Sequence, residues 1–382
     1  MTIIIFLIVL AALVFVHELG HFIAARMCGV RVDAFKLGFG PKIFAWKKGE
    51  TEYGVNAIPF GGYVKIHGEN PDEESISGKD SARSFVNKKK WQQVLILASG
   101  VLCNFIFAWL LYSIVFMSGF TTSTSSFENY ADRFKNERII VTYVLPGSPA
   151  AKAGIKEGDV ISYVETTAMN AERGRLTTSG DLHKSLQNIS EIQSVISSQG
   201  TKPVAIEIMR DGHKSILGIV PVQGVVEGKF AIGISMDTVG DIRLPFFGAI
   251  FEGFEYVINL IKQTCVGLYH FIANIVAGHP DFKDVAGPVG IAGIVGNAAE
   301  LGFTYLLMVT AIISVNLGVI NLIPFPALDG GRILFVIIES IIRRRISPKI
   351  ENITNTIGFV LLMILMVAVT WRDVAKLIVG NN

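Results

Sequence analysis

The stretch TIIIFLIVLAALVFVHELGHFIAA, residues 2–25, decides how the rest of the chain is read. It is uncharged up to His17-Glu18-Leu19-Gly20-His21, and only by continuing through that motif does it reach the ~20 residues needed to cross a bilayer. On a helix, residues four apart share a face, so His17 and His21 can turn two imidazoles towards one metal ion. Glu18 stands beside them, where a carboxylate can polarise a water and relay its proton. H-E-x-x-H arises by chance in roughly one chain in two hundred of this composition, so the pattern alone does not establish a site. Its setting adds weight, because two histidines and a glutamate inside a membrane-length apolar run are costly and by default functional.

Composition points the same way. Of 382 residues, 51% are hydrophobic and 17% charged, and the mean hydropathy is +0.49, which indicates an integral membrane protein. A net charge of +2, with no basic cluster interleaved with aromatics, gives no case for nucleic acid. Cys28, Cys103 and Cys265 are widely spaced and form neither a disulfide framework nor a thiolate metal site. The N-terminal run lacks a basic leader, and cleavage after it would remove His17, so it reads as a retained span.

Three further uncharged stretches, 91–120, 301–328 and 353–371, are long enough to span. The third carries Asn316, Asn321, Pro324 and Pro326 and should break near Pro324, where freed backbone can line a cavity. Lys and Arg crowd the loops between spans one and two and between spans three and four. The positive-inside rule then puts both loops in the cytoplasm, with the N-terminus and the 121–300 segment outside. The expected organisation is a four-helix α-helical membrane protein in four parts: 1–123, 124–240, 241–300 and 301–382. In the first loop, 43–66 reads as a β-hairpin around Pro59-Phe60-Gly61-Gly62, preceded by a turn at 38–41 and followed by an exposed linker over 69–84 that includes Asp72.

Residues 121–126 read as a Ser/Thr linker, and 138–236 as a mixed α/β domain. Its expected elements are a strand at 139–144, a short helix started by 146–150 and stopping at Gly154, a strand opened by 158–161, a helix at 179–189 and a hairpin turning at Asp211-Gly212. Residues 245–278 resemble an amphipathic helix pair against the membrane or the bundle, with His270 and His279 as ordinary surface residues. Gly287, Gly290, Gly293 and Gly296 mark either a flexible approach or close backbone contact.

Hydrolytic metal chemistry needs a third protein ligand and an open position. Asp329 ends the third span on the same side as His17 and His21, and its competing role is to cap the following helix. Two nitrogens and one oxygen, with a fourth position for water, suit catalytic zinc.

At these residues the chain resembles the site-2 protease family of intramembrane zinc metalloproteases, in its bacterial regulator-of-sigma-E branch. HELGH, Gly38-Phe39-Gly40-Pro41, Pro59-Phe60-Gly61-Gly62-Tyr63-Val64-Lys65, Gly287-Pro288-Val289-Gly290-Ile291 and Asn321-Leu322-Ile323-Pro324-Phe325-Pro326-Ala327-Leu328-Asp329-Gly330-Gly331 carry the resemblance along nearly the whole length. It implies one Zn2+ held by His17, His21 and Asp329, with Glu18 as the base. It also implies substrate contacts at Asn321, Pro324, Pro326, Tyr53, Gly61 and Gly62, with the hairpin edge holding substrate extended. The 146–159 stretch resembles a PDZ signature, with Ile232, Gly233 and Ile234 as the loop that takes a peptide C-terminus. Only one such signature is visible, where close family members carry two, and 166–200 reads as an insertion. The implied substrates are single-span membrane proteins in the bacterial inner membrane, either trimmed anti-sigma factors or signal-peptide remnants. Two other readings stay open on the residues alone: a non-proteolytic PDZ scaffold with structural zinc, and a metal transporter.

Overall fold

The first apolar run folds as one helix, α1 (Thr2–Met27), about 39 Å long at 1.5 Å per residue. The computed structural model describes residues 1–70, 73–166, 188–226, 229–278 and 286–379. The expected linker residue Asp72, His279 and nearly all of the expected helix at 179–189 lie outside the described residues, as does most of the expected insertion at 166–200.

After α1 come β1 (Val32–Lys48) and β2 (Thr51–Ile66). Both bend on themselves, at Gly38 to Gly40 and near Gly61, where the backbone takes positive φ. Phe35 therefore pairs with both Val64 and Tyr53, and Tyr53 pairs in turn with Trp46. Two strands thus make a four-run sheet, ordered 62–66, 32–37, 52–55, 44–48, with 62–66 as one edge. The expected hairpin began at 43; the 32–37 run belongs to it as well, and its pairing is set by the bends rather than by a simple alternation of residue types. The expected linker has structure too, with α2 (Glu73–Ser77) and two 3-10 turns before α3 (Lys90–Ser118).

Residues 119–244 form a separate compact unit. Its described elements are β3 (Phe120–Ser123), β4 (Lys135–Val144), α4 (Pro149–Ala153), β5 (Val160–Thr166), α5 (Ile189–Ser198), β6 (Val204–Arg210), β7 (His213–Ile219), β8 (Val222–Val226), β9 (Lys229–Ala231) and β10 (Ile234–Ile242). Six strands pair antiparallel in the order β3-β10-β4-β5-β6-β7. The Ser/Thr stretch expected as a linker is strand β3, recruited by pairing with β10. Ser148 caps α4 by accepting from the Ala151 amide, Pro149 sits in the first turn, and Gly154 ends the helix in the left-handed region. The core packs Ile139, Val141 and Ile161 against Ile192 and Ile196 of α5 and Ile206 of β6.

The chain then returns to the first unit, 1–118 with 245–382. It continues through α6 (Phe246–Val276), α7 (Pro288–Leu301), α8 (Phe303–Asn321), α9 (Asp329–Ile342) and α10 (Pro348–Val379). Among the described residues α1, α3, α8 and α10 are long and apolar enough to cross a membrane. Residues 246–276 form one continuous helix rather than a pair, joined to α3 by Trp109 Nε1 donating to Ile250 O (2.8 Å) and to α8 by Thr264 donating to Asn316 (2.9 Å). The glycines before α8 make close contacts: the Gly287 and Gly290 amides donate to the Asp373 carboxylate of α10 (2.8 and 2.9 Å).

In the 119–244 unit the Asp159 carboxylate, 1% exposed, receives a two-bond fork from Arg210 (2.6 and 2.7 Å) and the Lys156 amide (2.9 Å). Burial alone would raise this carboxyl; the guanidinium and the amide outweigh it and hold it below the ordinary aspartate range. A depressed folded-state pKa contributes stability above the unfolded value, about 3.9, and that contribution is lost as pH falls through the folded value. Arg210→Ala should destabilise this unit by about 3 kcal/mol at neutral pH. It should also flatten the acid limb of the stability curve below about pH 4, as read by hydrogen exchange of the β5 and β6 amides.

Candidate metal centre

Three donor atoms converge where α1 meets the start of α9. Asp329 Oδ2 lies 3.0 Å from His17 Nε2 and 3.3 Å from His21 Nε2, and the two imidazole nitrogens are 3.1 Å apart. A tetrahedral ion with bonds of about 2.0 Å has ligand–ligand edges of about 3.3 Å, so the triangle has the right size for zinc. The chemistry of the donors agrees. His21 Nδ1 donates to Ile96 O (2.8 Å), a carbonyl that can only accept, so the neutral ring presents the Nε2 lone pair to the triangle. Asp329 Oδ2 is buried without a hydrogen-bond donor. Lone pairs crowded this way need a shared cation.

Asp329 reaches this point because α8 ends at Asn321, before Pro324 and Pro326. The loop turns through Phe325 N donating to Ile323 O (2.7 Å) and Ala327 at φ 75°. Asp329 is the first residue of α9, and the cap position is Leu328 with no side-chain cap, so the carboxylate is not spent on capping. The loop is tied to α10 by Ala327 N donating to Asn355 Oδ1 (3.2 Å).

Close approach of α1 and α3 completes the centre. A Cβ on Gly20 would lie 2.3 Å from Ser99 O, and one on Gly100 would lie 2.4 Å from His21 Nε2. Only hydrogen fits at either position. Asn104 of α3, fully buried, brings its side-chain amide to 3.2 Å from His17 Nδ1, and its oxygen has no partner. A half-turn of that amide lets the oxygen accept the Nδ1 proton, which fixes His17 with its Nε2 lone pair inward. The backbone carbonyl of Asn104 accepts from Ser314 Oγ of α8 (2.8 Å). Asn104 falls in the uncharged 91–120 stretch, where the available signal was a polar amide in an apolar run.

The centre opens into a cavity of about 430 Å³ lined by Glu18, Tyr63, Lys65, Glu69, Asn70 and Arg332 as well as the three donors. Glu18 Oε2 accepts from the Val64 amide (2.9 Å), which projects from the 62–66 edge. Gly62 lies on that edge opposite Leu37, and Gly61 sits in the bend just before it. Tyr53 does not reach the cavity: it lies in an inner run, stacked on Trp46 (5.5 Å) and against Phe22 (6.0 Å). The Asn321 amide, at the end of α8, makes no hydrogen bond among the described residues, and Pro324 is exposed beside it while Pro326 packs on Gly358. In the other unit Ile232 is a core residue, while Gly233 O accepts from Leu145 N (2.9 Å) and Ile234 opens β10.

The sequence profile of peptidase family M50 matches residues 5–365. A protein of Clostridium perfringens named as a zinc metalloprotease is 36% identical over 375 residues, 98% of each chain. One from Clostridium acetobutylicum, similarly named, is 32% identical over 373 residues, 97% of each. The zinc metalloprotease RasP of Geobacillus kaustophilus is 27% identical over 449 aligned positions, 98% of each.

Because Asn104 fixes one ligand and Gly100 leaves room for the other, both positions should control metal affinity. Asn104→Ala should weaken zinc binding by about 10- to 100-fold in competition with a chelator, and Gly100→Ala at least as much. Circular dichroism of the helices should stay unchanged in both variants.

Proposed function

The chain belongs to peptidase family M50 and is a zinc metalloprotease in a membrane, and on that premise we propose that it cleaves peptide bonds inside the transmembrane segments of single-span proteins. The observation that carries this reading is the placement of Glu18 between the donor triangle and an open sheet edge. Bound at His17, His21 and Asp329, zinc supplies Lewis acidity, polarising a carbonyl and lowering the pKa of a water from about 15.7 towards ~7.

The chain's own groups do the rest. A transmembrane helix satisfies its own amides, so its peptide bonds are shielded until it unwinds. No strand among the described residues pairs with the outer side of 62–66, so an extended segment can add there, the pairing mode that suits an unwound substrate. The free amide of Asn321 is suited to a backbone group released by unwinding, and Pro324 and Pro326 keep the neighbouring chain from re-forming helix. Glu18 takes a proton from water and returns it to the leaving amine. A scaffold with structural zinc would need no carboxylate beside an open coordination position.

The lipid-facing partner is supported by Ile43, Phe44 and Trp46 on the outer run of the hairpin, all exposed. The basic loops support an N-terminus and a 119–244 unit outside the cytoplasm of a bacterium, with the metal centre towards the cytoplasmic side of its inner membrane. The 119–244 unit is read as a PDZ-like domain: α5 runs beside β10, whose 234–238 stretch has no partner opposite β4 among the described strands. There a peptide C-terminus can add as a strand, its carboxylate on the 232–234 backbone. Such a domain outside the membrane suits a filter that admits only substrates with a trimmed ectodomain, such as anti-sigma factors after a first cut or signal-peptide remnants.

Glu18→Gln should keep one zinc per chain by elemental analysis and lower cleavage of a purified single-span reporter by at least a thousandfold. Unchanged turnover in that variant would remove Glu18 from the mechanism. Cleavage of soluble peptides in preference to the reporter would remove the intramembrane assignment.

A further inference from the structure

Arg332 follows Asp329 by three residues, so α9 turns both side chains to the same face, one to the donor triangle and the other into the cavity beside it. Its guanidinium forms an ion pair with Glu69 and reaches Asn70 Oδ1 (3.4 Å). Glu69 and Asn70 continue directly from the edge run, and the Glu69 amide donates to Ile66 O (3.2 Å), which makes the turn an extension of the strand. The contact therefore joins the helix that carries a metal ligand to the strand whose Val64 amide meets Glu18, across 263 residues of sequence. Neither Arg332 nor Glu69 belongs to the donor triangle.

Stability alone is a weak reason for this pair. The two side chains are 25% and 20% exposed, and ions so far withdrawn from water recover little more than their desolvation cost. What such a pair does well is fix register. A one-residue slip of a strand exchanges inward and outward groups; the run is paired with 32–37 and tied beyond its end by the His67 amide donating to Arg31 O (2.9 Å), and Arg332 adds a tie on the side that faces the cavity. Glu18 and Glu69 line the same cavity as Arg332, so a cation here stands among acids.

We propose that Arg332 is a positioning residue for the hydrolysis: by clasping Glu69 and Asn70 it holds the 62–66 edge in register with the metal ligands, so that a substrate strand on that edge presents its scissile bond to Glu18. This rests on the reading above that the edge receives substrate. The planar guanidinium suits the role, since it holds a carboxylate and an amide oxygen at once, and an ammonium would hold a point contact only.

The test uses the full chain, zinc-loaded in detergent, with Arg332→Lys, Arg332→Ala, Glu69→Gln, Glu69→Ala and the double variant Arg332→Ala/Glu69→Ala. Four quantities are read: kcat and KM on a single-span reporter, zinc content, and hydrogen exchange of peptides covering 60–70. Arg332→Ala should lower kcat by about 10- to 100-fold, the cost of a misplacement on the order of 1 Å. KM should stay within about threefold, zinc at one per chain, and exchange at 62–66 should quicken by about tenfold or more. Arg332→Lys and Glu69→Gln should fall between wild type and Arg332→Ala, and the double variant should be no worse than Arg332→Ala by more than about twofold. Unchanged exchange at 62–66 in Arg332→Ala overturns the clasp, and additive losses in the double variant overturn its action through Glu69. Loss of zinc in Arg332→Lys overturns the positioning role in favour of a structural one. Wild-type protein that leaves the reporter intact overturns the functional reading and the positioning role with it, while the exchange arm still decides whether the clasp exists.

Discussion

Three lone pairs within 3.3 Å of one another, in the interior of a helix bundle, repel unless something positive lies between them. Much of the surrounding structure can be understood as the means of keeping them there. His17 and His21 are each only 8% exposed, and each has its outer ring nitrogen engaged by α3, one at Ile96 O and the other at Asn104. That engagement requires α1 and α3 to approach to the limit that two glycines allow. A centre of this kind cannot be relocated by small changes in packing, because the metal fixes the donors and the donors fix the helices.

The second constraint is the bilayer's intolerance of unpaired backbone. The loop that ends α8 and the bent sheet after α1 are both irregular; the loop delivers Asp329 to the cavity, and residues 63–66 of the sheet line it. Inside the cavity, open backbone groups are an asset. An unpaired edge is a liability on a soluble protein's surface; beside Glu18 it is where we propose that an extended chain is received. The Val64 amide is satisfied meanwhile by the Glu18 carboxylate, a bond that a substrate strand and an attacking water would exchange for others.

The parts legible in the sequence were those whose cause is local. The four-residue spacing of His17 and His21, the break at Pro324, the turn with Asp211 and Gly212 at positive φ (51° and 79°) and the Ser148-to-Gly154 helix all follow from a few neighbouring residues, and each stands where expected. The parts that were not legible depend on partners far along the chain. The 32–37 run is a strand because 62–66 and 52–55 flank it, and β3 is one because β10 lies beside it. The resemblance implies a substrate contact at Tyr53, yet pairing places it in an aromatic stack with Trp46 and against Phe22. Asn104 meets His17 across 87 residues, and Gly100 carries no composition signal at all.

Hydrolysis in a membrane also needs water, and the cavity explains how it is supplied. The cavity of about 430 Å³ is large enough to hold several waters. Lys65, Glu69, Asn70 and Arg332 give those waters partners, where an apolar chamber of the same size would stay dry. The donors and the 63–66 residues line the same cavity, so donors, sheet and solvent meet in one space. The same charged lining that wets the cavity also ties its walls together through Arg332 and Glu69. Wetting and the proposed alignment therefore draw on the same two side chains, Arg332 and Glu69.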